Sequence, residues 1–231
     1  MKRAARIRIA GRDFGLYPQS LSLNPRFRAD VPRIKLDVEI DWKPRHPGRA
    51  LAALEEALLE ICPSLERHQC RGQIQYHILR GLEEPREAPD DGAGDIETPL
   101  ALAHLLEHVL IDTIAYVTGE KLLSGATGAR RDSRQRFDIF VECPDAAVAQ
   151  LAVELSVAWM KALLNGKAPD GAGRPALELA HHAYKGKARG LDLSKFAGHL
   201  AKRELSNALK WLEKNGFVRR EGTLVFYVPG R

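Results

Sequence analysis

The chain has 231 residues, 45% of them hydrophobic, with 35 Lys+Arg against 30 Asp+Glu for a formal net charge of +5. That is enough for one large or two modest domains with a real core. No apolar run approaches the ~20 residues of a membrane span. The basic start MKRAARIRIAGRD lacks the apolar stretch of a secretory signal. Cys62, Cys70 and Cys143 are widely spaced and suggest neither a disulfide framework nor a thiolate zinc site, so a reducing cytoplasm is the expected setting.

Residues 5 to 42 read as two strands with a loop between them. ARIRIAG alternates Ile7 and Ile9 with arginines, and RIKLDVEIDW sets Ile34, Leu36, Val38, Ile40 and Trp42 on one face. The prolines of the intervening GLYPQSLSLNPRFRADVP argue for turns or short edge pieces. An amphipathic helix follows over 48–61, its buried side marked by Leu51, Leu54, Leu58 and Ile61. QIQYHILRGL reads as a second helix, and the acidic, Pro/Gly-rich stretch 83–97 as a loop.

TPLALAHLLEHVLIDTIAYVTG, residues 98 to 119, reads as a helix with Thr98 as N-cap, Pro99 at the first position and Gly119 as its stop. KLLSGATGARRDSRQ is then a Gly- and Arg-rich connection. RFDIFVEC is a strand, with Phe137, Ile139 and Val141 on one face and Asp138, Phe140 and Glu142 on the other. DAAVAQLAVELSVAWMKALLNG is a strong amphipathic helix. The order predicts an α+β class, helices packed on a small, mostly antiparallel sheet, over residues 1–166.

His104, Glu107 and His108 stand at i, i+3 and i+4, on one helix face. Two imidazoles one turn apart can hold a divalent metal, zinc being the expected ion, and the adjacent carboxylate can take a proton from water. This is the H-x-x-E-H arrangement. Glu107 is the candidate general base, and His104 and His108 are the candidate metal ligands. A third ligand is required, with Glu142 as first choice and Glu154 second. Arg130, Arg131 and Arg134 are candidates for meeting substrate carboxylates, or else part of a solvated connection. The structural alternative is a helix whose Leu102, Leu105 and Val109 pack on the sheet while the histidines sit hydrogen-bonded at the rim.

Four separated stretches carry a resemblance to a known family. CPSLERHQC at 62–70, HLLEH at 104–108, SGAT at 124–127 and IFVEC at 139–143 follow in the order and approximate spacing of the N-terminal domain of cyanophycin synthetases. The corresponding pieces there look like LP-x-L-x-x-H-x-C, H-V-x-E-H, F-G-R-T and V-V-F-E-Y. The resemblance spans roughly residues 6 to 165. It implies an α+β domain that handles cyanophycin, a polymer with an Asp backbone and Arg side chains. In some members a metallopeptidase-like site cuts that polymer. His104, Glu107 and His108 match, Glu142 stands at the glutamate of F-E-Y, and His68 and Cys70 also match, in structural or supporting places. The sequence departs from the pattern where Arg71-Gly72 replaces a Gly-rich stretch, where Ala126 replaces the Arg of F-G-R-T, and in an apparent insertion at 83–97. Nothing resembles the ATP-grasp or Mur-ligase-like parts of a synthetase, so hydrolysis of a peptide or peptide-like polymer is the expected activity.

GKAPDGAGRP reads as a linker, leaving 167–175 between the first unit and a second at 176–231. That second unit reads as three helices and a β-ribbon turning at Glu221-Gly222, and LKWLEKNGFVRREG resembles the recognition helix and wing of a winged helix-turn-helix. Its candidate DNA contacts are Lys202, Arg203, Asn207 and Lys210, with Arg219 and Arg220 near the wing. A DNA-binding regulator and a catalytically silent polymer- or partner-binding module are therefore the rival functions, and self-association stays open. His181-His182 reads as a surface pair, and Cys62 and Cys143 as small buried hydrophobes.

Overall fold

The computed structural model describes residues 5–62, 64–65, 94–130, 133, 135–169, 173–187, 189–196 and 200–229. The helix expected over QIQYHILRGL, together with His68, Cys70, Arg131 and Arg134, lies outside the described residues.

The first part is an antiparallel sheet of β1 (Arg6–Gly15), β2 (Arg33–Asp41), β3 (Gly125–Ala129) and β4 (Arg136–Glu142), in the order β1-β2-β4-β3. Period-two alternation sorts its side chains. Ile34, Leu36 and Val38 of β2 stand opposite Val141, Ile139 and Phe137 of β4, and all six are buried. That face carries the helices α1 (Pro47–Leu59), α2 (Gly94–Thr118) and α3 (Ala146–Leu164), whose apolar residues join the same core. The other face holds Lys35, Asp37 and Glu39 and a small second cluster of Tyr17, Phe27, Ala126 and Phe140 under the loop after β1. The class is α+β, helices on small antiparallel sheets, as expected.

Two readings of the motif region change. The stretch 121–135 is not only a connection: Gly125–Ala129 forms β3, paired with β4 from Gly125↔Val141 to Ala129↔Phe137. GATGA has neither alternation nor β-branched bulk beyond Thr127, so sequence periodicity passes over it. Thr98 is not the N-cap either, because α2 already runs from Gly94 and Pro99 lies inside it. Near the start of a helix the proline removes a single hydrogen bond, to the carbonyl four residues back, and the helix continues through it. The stretches Thr98–Thr118 and Ala146–Leu164 do meet the length and hydropathy of a membrane span, but 72% and 61% of them is buried within the protein itself. Here they act as core helices.

The second unit comprises α4 (Arg174–Lys185), β5 (Leu191–Asp192), the short α5 (Leu193–Phe196), α6 (Lys202–Lys214), β6 (Val218–Glu221) and β7 (Leu224–Tyr227). Its sheet runs β5-β7-β6, and Gly222, at φ 62°, supplies the left-handed residue of the two-residue loop between β6 and β7. The unit is docked rather than tethered, since its apolar residues belong to one core with those of the first part.

Polar contacts fix the junction. His181 Nδ1 meets the carbonyl of Tyr116 at 2.7 Å, and Lys185 Nζ donates to the carbonyl of Thr118 at 3.1 Å. Both satisfy carbonyls left open at the end of α2, where a cation is favoured. The expectation of a surface histidine pair therefore fails for His181, which caps the motif helix. The Tyr227 hydroxyl donates to Asp145, the N-cap of α3, whose carboxylate also accepts from the N–H groups of Ala147 and Val148.

Candidate metal centre

The middle of α2 brings His104, Glu107 and His108 together so that one ligand atom from each lies within 4.8 Å of the others. His104 Nε2 and His108 Nε2 are 2.8 Å apart, the rings nearly perpendicular at 72°. One imidazole donates to the other in this arrangement. Two nitrogens at about 2.05 Å from one tetrahedral ion stand about 3.3 Å apart, so an opening of about half an ångström fits them to a shared ion. His104 is 3% exposed, and burial pushes its pKa down to about 4. It is thus neutral near pH 7, as a ligand must be.

Glu107 is 6% exposed, and desolvation pushes its carboxyl up to about 8, against the smaller opposite pull of the Thr127 hydroxyl. Thr127 Oγ1 donates to Glu107 Oε2. Thr127 is opposite Ile139 and Gly125 opposite Val141, both on the helix-bearing face of the sheet, directly beneath the carboxylate. A Cβ built on Gly125 would lie 2.5 Å from Glu107 Oε1 and under 3 Å from Cγ and Cδ. Gly125 is therefore the room in which the Glu107 side chain sits, and Thr127 is its tether. Sequence reasoning did not single out either residue, although the SGAT stretch contains both.

The other candidates fall elsewhere. Glu142 is not part of the cluster. Strand alternation turns it to the face away from α2, where Oε1 accepts the Arg28 N–H at 2.6 Å, Oε2 accepts the Ser124 N–H at 3.1 Å, and the Arg28 guanidinium lies 3.5 Å away. This 1%-exposed carboxylate clamps two loops and is not placed to be a third ligand. Glu154 is bonded to Arg12 at 2.8 Å, on the side of α3 that faces β1. Arg130 pairs with Asp37 at 3.2 Å on the face opposite the helices. Cys62 and Cys143 are buried free thiols with raised pKa, as expected of inert core residues.

The two perturbed groups make metal-free stability depend on pH in opposite senses. Unfolded His104 protonates near 6.5 but the buried ring only near 4, so stability falls as pH drops through that window, by ~3 kcal/mol in all. Glu107 loses its proton near 4.5 when unfolded but near 8 when folded, so its contribution falls as pH rises between those values. The effects oppose one another up to 6.5 and leave a net decline from 6.5 to about 8. Urea midpoints of the metal-free protein should decline across that last window, and Glu107→Gln should flatten the decline. Midpoints that rise there would contradict a buried, neutral carboxyl.

No family model, curated protein or solved structure matches the chain.

Proposed function

We propose that the chain is a metal-dependent hydrolase of amide bonds in a peptide or peptide-like polymer, with cyanophycin as the polymer its motifs point to. The observation that carries this reading is the juxtaposition of two imidazoles, that of His104 held neutral by burial, with a buried, tethered carboxyl whose pKa of about 8 sits near working pH. His104 and His108 would hold the ion, zinc being the best match to nitrogen ligands of this spacing. When bound, such an ion polarises a carbonyl and acidifies a water molecule. Glu107 accepts the proton of the attacking water and hands it to the departing amine. Thr127 keeps Oε2 of that carboxylate oriented, and the missing side chain of Gly125 leaves the space that the carboxylate fills. A matched pKa helps in both directions, because the group must take the proton and then release it.

The test is incubation of the zinc-loaded protein with an Asp/Arg polymer and with an unrelated unfolded polypeptide, followed by counting new amino termini. Release from the first supports a cyanophycin-like substrate, and release from both a general peptidase. Release from neither removes the hydrolase reading.

A second reading is supported by α6 and the hairpin after it. Ala208, Leu209 and Leu212 anchor α6 in the core, while Lys202, Arg203 and Lys210 are exposed, Asn207 is half-buried, and Arg219 and Arg220 are exposed on β6. With β5-β7-β6 beside it, the element order is similar to that of a winged helix, and a DNA-binding role would place α6 in the major groove. Duplex binding by this face should weaken steeply with salt, about tenfold or more between 50 and 200 mM, and Lys202→Glu with Lys210→Glu should reduce it further. No binding at the lower salt removes the regulator.

A further inference from the structure

The edge of the main sheet farthest from the metal cluster is β1, which among the described residues pairs with β2 alone. Between β1 and α3 lies a groove of about 520 Å³. Ile9 and Ala10 of the strand and Val153 and Val157 of the helix give it an apolar floor, and Arg12 and Lys161 stand around it. Arg8 borders it from the strand with its side chain turned to the other face, as is that of the exposed Arg6. The one acid in the lining, Glu154, is already held by Arg12.

A β-bulge builds this arrangement. Ile9 is opposite Val38 and Gly11 opposite Asp37, so Ala10 is the extra residue and the alternation shifts by one. Arg12 thereby comes to stand opposite the buried Leu36 and turns to the helix side, instead of following Arg6 and Arg8 to the other face. Arg8 meets Glu39 yet keeps 72% of its side chain exposed, and Lys161 is exposed.

A strand edge with a helix beside it is a template for one more strand, with main-chain hydrogen bonds giving affinity and alternate side chains giving selectivity. The charges choose the occupant. A second copy of β1 would bring another Arg6, Arg8 and Arg12 alongside the first set, which like-charge repulsion opposes. Side chains of an added strand alternate between faces, so an extended segment alternating acidic and apolar residues sets its apolar side chains over the groove floor and its acids beside Arg6 and Arg8 on the other face.

We propose that the groove between β1 and α3 receives an extended peptide segment of a partner protein that alternates acidic and apolar residues, added as a strand to the edge of β1 with which no described strand pairs. The inference does not rest on the metal reading, since the groove lies at the opposite edge of the sheet from β3 and Glu107.

The test uses the full chain and a labelled octapeptide alternating Glu and Val, followed by fluorescence anisotropy at low salt. Saturable binding is expected, at least tenfold weaker for an Arg6→Glu, Arg8→Glu double variant and at least tenfold weaker for the same peptide N-methylated at alternate amides. Both substituted residues are exposed, so the variant should keep the native circular dichroism and metal content. No saturable binding overturns the proposal, and so does equal binding to the double variant. Equal binding of the N-methylated peptide overturns strand addition. Displacement by short duplex DNA as readily as by unlabelled peptide would mark a general polyanion surface and overturn the peptide assignment.

Discussion

Glu107→Gln should leave metal binding intact and lower amide hydrolysis by about 10²- to 10⁴-fold, the range for loss of a positioned general base. The substitution is close to isosteric with what the buried site already holds. With its pKa near 8, Glu107 is mostly neutral at pH 7 in the metal-free protein, and the amide oxygen of Gln can accept the Thr127 hydroxyl as the carboxyl does. Because Gln removes the cost of keeping a carboxyl protonated, the metal-free fold near neutral pH should be at least as stable as the wild type, and a loss of turnover would report on proton transfer rather than on structure. Steady-state kinetics with metal content measured on the same samples checks this. Turnover retained at the wild-type level would remove Glu107 as the base.

Gly125→Ala should be nearly as damaging although the residue touches no substrate. The added methyl would lie 2.5 Å from Glu107 Oε1, and both partners are buried, so the carboxylate must swing out of its place against Thr127. Overpacking of this kind costs about 1–3 kcal/mol, and an ångström-scale misplacement of a reacting group can cost ~10²-fold in rate. The neighbouring Gly128→Ala is the internal control, since a Cβ there meets nothing within 4 Å and its φ is not positive. It should leave stability within about 0.5 kcal/mol and activity unchanged. Equal behaviour of the two alanines in thermal melts and turnover would show that Glu107 does not need the space under it.

The contrast between these two residues shows what the sequence could and could not convey. His104, Glu107 and His108 were legible because helical periodicity alone puts i, i+3 and i+4 on one face, and α2 does so. The alternation of β2 and β4 and the amphipathic stripes of α1, α3 and α6 were legible for the same reason. Gly125 and Thr127 were not, because their importance comes from a strand pairing between β3 and β4 that no local pattern announces. Glu142 misled for a related reason. Its position on the strand was read correctly, but which face of the sheet carries α2 is a tertiary fact, and the helices cover the Ile139 side. His181 reads locally as one of two surface imidazoles, and only the docking of α4 against the end of α2 gives it a carbonyl to bond.

Metal analysis tests the centre most directly. The purified chain, equilibrated with zinc and dialysed against buffer without chelator, should retain about one ion per chain, and a His104→Ala, His108→Ala variant should retain less than about a tenth of that. Equal and negligible zinc in both proteins, or equal zinc in both, would contradict a metal site on this helix.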